Sequence, residues 1–371
     1  MKTKAAVVYE FGKPIEIEEL DLDGPKEGEV LIRYTYAGLC HSDVHVAHGD
    51  LEARLPMVLG HEGAGIIEEV GPGVTRVAVG DHVVCSFIPN CGTCRYCATG
   101  RQSICDMGAT ILEGYLPGPR FPITGPRGDY GAMCMLGTFS QYGVISQTSC
   151  VKVDDDLPLD KAVLVGCGVP TGWGSAVNSA ALKAGDTAVI FGVGGIGINA
   201  VQGARHAGAK NVIAIDPLEN KREKAMELGA THAFATAEEA MPVLTDLTRG
   251  QMADAAILTP GLVTSEIVTQ GFHSVGKGGV VVVTGLNKLM EQTIELPGTI
   301  LTLWRKTVKG SLFGDCNPTT DIPRILGLYQ SGDLKLDEII TRTYTLDEVQ
   351  QGYDDLLAGE NIRGVVVHEH S

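Results

Sequence analysis

Thr187-Ala188-Val189-Ile190-Phe191-Gly192-Val193-Gly194-Gly195-Ile196-Gly197 is the stretch on which the fold turns. Its first five residues are mostly apolar and β-branched and read as a short buried strand. The spaced glycines follow at once, Ile198 to Ala207 reads as a helix, and Asn211-Val212-Ile213-Ala214-Ile215 reads as the next strand, ending at Asp216. A glycine triplet alone is weak. Here it has a strand before it, a helix after it and an acid about twenty residues on, which is the Rossmann pattern for binding a dinucleotide. Gly192 allows the tight turn, Gly194 lets backbone approach a pyrophosphate, and Gly197 lets helix and strand pack closely. Gly195 and Ile196 complete the turn, and the helix N-terminus presents free N–H groups to phosphate. Asp216 can accept from both ribose hydroxyls and repels a 2′-phosphate, which favours NAD over NADP. Arg222 lies near it and reads as part of a solvated helix face.

Downstream the alternation continues. Ala253 to Leu258 and Gly279 to Thr284 are strand candidates, with helical stretches around 220–229 and 264–275. Gly310-Ser311-Leu312-Phe313-Gly314 reads as the last strand of this sheet. Upstream the character differs. Residues 4–9, 29–36, 65–70 and 82–87 read as strands separated by Gly and Pro turns, so the first 150 residues are mostly β and rich in loops. The change falls near residue 170. From about 321 helical patterns cover 322–331 and 346–357, and Gly364-Val365-Val366-Val367 reads as a closing strand. The fold class is α/β, with a doubly wound parallel sheet beside a β-rich domain.

The 371 residues suit about two domains. With 44% hydrophobic and 20% charged residues, the chain is globular rather than disordered. A formal net charge of -16 repels phosphate backbones, so nucleic acid is not an expected partner. There is no apolar run of spanning length and no signal-like apolar segment after Met1, so neither a membrane span nor export is expected. The expected compartment is cytoplasmic, where the ten Cys serve as thiols or metal ligands rather than disulfides.

Cys91-x2-Cys94-x2-Cys97-x7-Cys105 places four thiols close enough to surround one tetrahedral ion. An all-Cys local set suits a closed structural site. The alternatives are free thiols or a redox pair, and the latter lacks the βαβ context it usually has. Residues 107–136 carry Pro117, Pro119, Pro122 and Pro126, show no clear periodicity, and read as a long loop. A second donor set is dispersed. Gly38-Leu39-Cys40-His41-Ser42-Asp43, Gly60-His61-Glu62 and Gly166-Cys167-Gly168 together offer two thiols and an imidazole, the count a catalytic zinc uses while one position stays open.

These pieces, in order over nearly the whole chain, resemble the zinc-dependent medium-chain alcohol dehydrogenases, the family in which a Cys2His set holds catalytic zinc. Gly137-Thr138-Phe139-Ser140-Gln141-Tyr142 and Asn361-Ile362-Arg363 belong to the same match. The segments 169–178, 310–318 and 339–344 further resemble a bacterial subgroup of nicotinoprotein alcohol dehydrogenases, assayed with N,N-dimethyl-4-nitrosoaniline. The resemblance implies a GroES-like catalytic domain of residues 1–168 and 315–371, with a zinc lobe at 91–105, and a Rossmann domain of residues 169–314. It implies two Zn2+ per chain and NAD(H), which the subgroup holds tightly. Cys40, His61 and Cys167 become the catalytic zinc ligands, and Cys91, Cys94, Cys97 and Cys105 the structural ones.

By the same resemblance Ser42 takes the alcohol proton and passes it through the cofactor ribose to a surface imidazole, His45. Asp43 orients His61, and Glu62 tunes the metal or aids ligand exchange. His41, Thr171, Lys221, Thr284, Phe313 and Arg363 join Gly192, Gly194, Gly195, Ile196, Gly197 and Asp216 at the cofactor. His41 departs from relatives with Arg at that position, and Arg363 can still offer a guanidinium fork to the diphosphate. Leu51, Phe87, Phe139 and Leu286 match positions lining an apolar substrate cleft. Cys85, Cys134, Cys150 and Cys316 read as ordinary buried thiols.

The expected activity is interconversion of primary alcohols and aldehydes, with a small alcohol or aldehyde as partner and a homo-oligomer as the assembly. A formaldehyde or thiol-adduct dehydrogenase of the same fold is the enzymatic alternative, but no basic cluster suited to an acidic thiol cofactor stands among the cleft candidates. A non-catalytic protein that binds NAD and zinc is the other alternative, though it has no need of an open metal site.

Overall fold

Val7 and Val8 extend a small, β-branched run that packs inward from the first strand. In the computed structural model, which describes residues 1–288 and 293–370, ten strands precede residue 167. They are β1 (Lys2–Val8), β2 (Glu16–Leu22), β3 (Glu29–Gly38), β4 (Met57–Val58), β5 (Glu62–Val70), β6 (His82–Cys85), β7 (Ile123–Gly125), β8 (Gly128–Ala132), β9 (Tyr142–Ser146) and β10 (Cys150–Lys152). Then come β11 (Thr187–Phe191), β12 (Asn211–Ile215), β13 (His232–Phe234), β14 (Ala253–Leu258), β15 (Val275–Val283) and β16 (Thr307–Gly310), with β17 (Ile340–Thr345) and β18 (Arg363–Val367) last. Contacts divide the chain into one unit of residues 1–167, 317–330 and 336–371 and a second of residues 168–316 and 331–335.

In the first unit β1, β2, β7, β8 and β4 close a small barrel around Ala5, Val7, Leu20, Val58, Ile123 and Tyr130. A second sheet runs β10-β6-β5-β3-β18-β17, with β9 also on β3. The central strand β3 changes partner along its length. Glu29–Arg33 pair with β9, while Tyr36–Gly38 pair with β18. Its last residue, Gly38, therefore sits between Glu62 of β5 and Val365 of β18. That register brings residues 300 positions apart in sequence onto one floor.

The segment 107–136 is not the open loop its breakers suggest. Residues Asp106–Thr110 form a 3-10 turn, and β7 and β8 form an antiparallel hairpin that closes the barrel onto β2 and β4. The hairpin strands are only 3 and 5 residues long, too short for a period-2 signal to stand out.

The second unit is a six-stranded parallel sheet in the order β13-β12-β11-β14-β15-β16. Counted from β11 this is the 3-2-1-4-5-6 order of the doubly wound nucleotide fold. Helices Gly197–His206, Glu219–Glu227, Ala237–Leu247 and Ser265–Ser274 connect its strands. Its last strand is Thr307–Gly310 and not 310–314, because Phe313 and Asp315 take left-handed φ of 57° and 53° and fold into a tight turn. No described helix is long and apolar enough to cross a membrane.

Candidate active site

Each candidate ligand stands at the border of a secondary-structure element. Cys40 follows β3 and is the N-cap of helix His41–His48. His61 precedes β5 across a turn at Gly60, whose φ is +92°. A Cβ at Gly60 would stand 2.5 Å from the Phe139 backbone nitrogen, so the position demands glycine. Cys167 ends the 3-10 turn Val163–Gly166. These elements bring one donor atom each from Cys40, His61, Glu62 and Cys167 to within 4.8 Å of one another, on four buried residues.

Two thiols and an imidazole at that spacing fit a zinc ion with one position left for a further ligand. The side chains behave as a set. The hydrogen bond from Cys167 draws the Cys40 thiol well below its ordinary pKa against the effect of burial, and the same bond pushes Cys167 up. Burial opposes charge on His61, but Asp43 and Cys40 outweigh it and raise the imidazole. Asp43 Oδ1 accepts from the Gly60 N–H at 3.0 Å and lies 3.1 Å from His61 Nδ1. That contact leaves Nε2 as the ligand atom.

Glu62 is fully buried and pairs with Arg363. Burial pushes its carboxyl up to about 7, while the guanidinium pulls it down. Arg363 is 3% exposed on β18, and its Nη2 donates to Glu62 Oε2. Sequence reasoning assigns this guanidinium to the diphosphate and misses the carboxylate, because the pairing depends on β3 separating β5 from β18. Ser42 Oγ lies 3.7 Å from Cys40 Sγ. His45 is expected at the surface but is 4% exposed, with Nδ1 3.0 Å from Asp50 Oδ2. Its helix is short and turned inward, and Gly49 ends it so that Asp50 folds back. The one sequence signal for Asp50 is the acid placed directly after that glycine stop. The His41 ring lies 5.1 Å from that of His45.

Phe87 stands edge-on to His61 at 5.8 Å, and Phe139 is wholly buried in the same unit. Leu51 is half-buried. Leu286 lies in the second unit and is 37% exposed.

The four remaining ligand candidates also converge. Cys91, Cys94, Cys97 and Cys105 hold their sulfurs within 4.8 Å of one another. The Cys91–Cys97 and Cys94–Cys105 sulfur separations are 3.9 Å each. Four sulfurs about 2.3 Å from one tetrahedral ion stand about 3.8 Å apart, so the cage has the size zinc needs. Backbone N–H groups of Cys94, Cys97 and Cys91 point at the sulfurs of Cys91, Cys94 and Cys105, at 3.2, 3.4 and 3.4 Å. Donors aimed at sulfur favour thiolates.

In the second unit Gly192 takes φ +78°, and a Cβ on Gly197 would collide with the Gly192 carbonyl. Gly194 has open space except for Lys221 Nζ, 3.9 Å from where a Cβ would stand. That room at a helix N-terminus fits a pyrophosphate. Asp216 directly follows β12, and its carboxylate accepts from the Val193 and Leu218 N–H groups at 2.9 and 3.0 Å. Arg222 donates instead to the Asp216 and Pro217 carbonyls, both at 2.8 Å. Thr171 and Thr284 are linked through Ser175, whose hydroxyl lies 2.6 Å from the Thr171 carbonyl and 2.9 Å from Thr284 Oγ1. Phe313 is buried at the turn after β16.

Comparison with known proteins agrees with this geometry. Residues 26–155 match the family model described as alcohol dehydrogenase GroES-like domain, and residues 195–331 match that described as zinc-binding dehydrogenase. The chain is 64% identical over 368 residues to the NDMA-dependent alcohol dehydrogenase of Amycolatopsis methanolica, covering 99% of each. It resembles two crystal structures that it covers fully, and which cover it fully. One is an alcohol dehydrogenase zinc-binding domain protein from Burkholderia ambifaria, at TM-score 0.93 and 32% identity. The other is the benzyl alcohol dehydrogenase of Acinetobacter calcoaceticus, at TM-score 0.92 and 30% identity.

Proposed function

This chain belongs to the zinc-binding, GroES-like alcohol dehydrogenase family, and on that premise we propose that it oxidises primary alcohols to aldehydes with a nicotinamide nucleotide that stays bound between turnovers. The observation that carries the reading is the convergence of Cys40, His61 and Cys167 on one buried point. The first unit acts as the catalytic domain and the second, with its glycine turn and Asp216, as the NAD domain.

Zinc held by Cys40, His61 and Cys167 would supply Lewis acidity that lowers the pKa of an alcohol, and a nicotinamide nucleotide held at Gly192–Gly197 and Asp216 would supply the hydride acceptor. The chain's own groups do the rest. Ser42 Oγ, beside Cys40, accepts the hydroxyl proton of the substrate, and His45, held by Asp50, receives it further along. Asp43 keeps the imidazole of His61 in one tautomer. Phe87, edge-on to His61, gives an apolar wall suited to alkyl or aryl alcohols, whereas Phe139 is core packed on Gly60 and Tyr353. Asp216, with both carboxylate oxygens at the end of β12, selects NAD over NADP.

Retention of the nucleotide rests on similarity to a relative named for an artificial acceptor. Gel-filtered protein is denatured and its supernatant chromatographed. Near-stoichiometric NAD(H), with benzyl alcohol oxidation that requires added N,N-dimethyl-4-nitrosoaniline, is the expected result. An empty supernatant with full activity on added NAD alone overturns the retention.

The chain assembles as a homo-oligomer through the second unit. Support comes from β16, an edge strand of the sheet, and from Leu303 and Trp304 beside it, 75% and 39% exposed. An open edge beside apolar residues suits pairing with a second copy. Sedimentation of the wild type and of Leu303→Asp tests this, and a monomeric wild type overturns it.

A further inference from the structure

Asp43 is wholly buried, and only one of its oxygens is used. Oδ1 takes the Gly60 and His61 nitrogens, while Oδ2 has no hydrogen-bond partner among the described residues. A buried carboxylate oxygen left without a donor costs more than any single hydrogen bond gains. Close by is a second unsatisfied atom of the opposite kind. The Tyr353 hydroxyl is buried and, among the described residues, also without a hydrogen-bond partner.

Packing brings the helices that carry the two together. Tyr353 lies on helix Val349–Ala358, which packs against helix His41–His48 that carries Asp43. Its ring stands edge-on to Phe139 at 6.1 Å, and Phe139 in turn rests on Gly60, the residue before His61. Among acids, the Asp43 carboxylate acts on the Tyr353 hydroxyl more strongly than Glu62 does, and after burial it is the largest cause holding that pKa up. An ionised carboxylate only accepts and a tyrosine hydroxyl can donate, so the two buried atoms are complementary.

We infer that Tyr353 is a positioning residue for the catalytic metal site, donating its hydroxyl hydrogen to Asp43 Oδ2 and so fixing the carboxylate that orients His61. The donation prevents the carboxylate from rotating, which keeps Oδ1 for the imidazole N–H. Tyr353 therefore sets the aim of one ligand through two hydrogen bonds. Nothing in sequence spacing hints at this, since 310 positions separate the pair.

The inference rests on the zinc reading of Cys40, His61 and Cys167, and elemental analysis of the wild type tests that reading first. Two zinc ions per chain sustain it, and a single ion held by the four-Cys lobe overturns reading and inference together. Tyr353→Phe then removes one hydroxyl and keeps the ring contact with Phe139. Zinc release to a competing chelator is followed for the catalytic and structural ions separately, and the visible spectrum of cobalt-substituted protein is recorded. Loss of the catalytic ion is expected to accelerate about 10-fold, the low end of what outer partners of metal-bound His contribute. The cobalt bands shift, and release from the four-Cys lobe stays at the wild-type rate. Added to Asp43→Asn, the Tyr353→Phe change has no further effect. Wild-type release with an unshifted spectrum, equal acceleration of both ions, or a full further increment in the Asp43→Asn background each overturns the inference.

Discussion

At Glu62 and Arg363 two opposite charges lie under almost no solvent, with the carboxyl pushed up by burial and the guanidinium holding it back. Deleting one member strands the other, which is worth about 3–5 kcal/mol in a buried pair, whereas replacing both with uncharged groups costs far less. Arg363→Met is therefore expected to lower the urea midpoint of the zinc-loaded protein strongly, and Glu62→Gln with Arg363→Met to recover much of the loss. A double variant no more stable than Arg363→Met alone would assign the guanidinium to another partner. Which donor residues converge was legible here, and which partner each one takes was not. Cys40, His61 and Cys167 stand out as donor types in glycine-rich motifs, and the fold gathers them. The Glu62–Arg363 and Asp43–Tyr353 pairings arise from strand order and helix docking, neither of which leaves a local trace.

Among the elements, strands of the parallel sheet were read to within a residue or two where they are buried on both faces, as at β11, β12 and β14. Short barrel strands such as β4, β7 and β8 were invisible, since 2 to 5 residues carry too little pattern and neighbouring Pro and Gly dominate the reading. The four-Cys lobe is an element that an ion would hold more than a core does, as Cys91 and Cys94 are only half-buried. Cys97→Ser is expected to lose one zinc per chain and open the lobe to proteolysis near Arg95 and Arg101, with catalytic zinc retained. Limited trypsin digestion beside elemental analysis reads both outcomes. The C-terminal extension past β18 makes a different element. His368 is buried, its Nε2 2.9 Å from the Thr138 carbonyl, and burial lowers its pKa to about 4. In the unfolded chain the same ring takes a proton near pH 6.5. Between those values the unfolded state holds the extra proton, so this contribution is complete above pH 6.5 and is lost as pH falls toward 4. The span corresponds to about 3 kcal/mol. His368→Gln should show a shallower loss of urea stability between pH 7 and 5 than the wild type, and parallel curves would place the acid sensitivity elsewhere.

For the whole molecule the decisive quantity is how much of the native state's stability belongs to its bound groups. A ligand that binds only the folded chain adds RT ln(1 + [L]/Kd), so a nucleotide that survives gel filtration is already contributing its full share. Added NAD then finds no vacant turn at Gly192–Gly197 and changes little. The wild type as purified is therefore expected to show the same melting temperature with and without excess NAD. Protein stripped of nucleotide should melt several degrees lower, and NAD should restore it, because about 2.7 kcal/mol is gained at a hundredfold excess over Kd. An Asp216→Ala variant, deprived of the carboxylate at the end of β12, should elute with nucleotide absent and respond to added NAD as the stripped protein does. A wild type whose melting temperature climbs steadily with added NAD would instead be an exchanging dehydrogenase. The fold and the metal ligands would then stand unchanged, since the same glycine turn and acid serve both modes, and only the rate of nucleotide release would separate this chain from the relative whose name records an artificial acceptor.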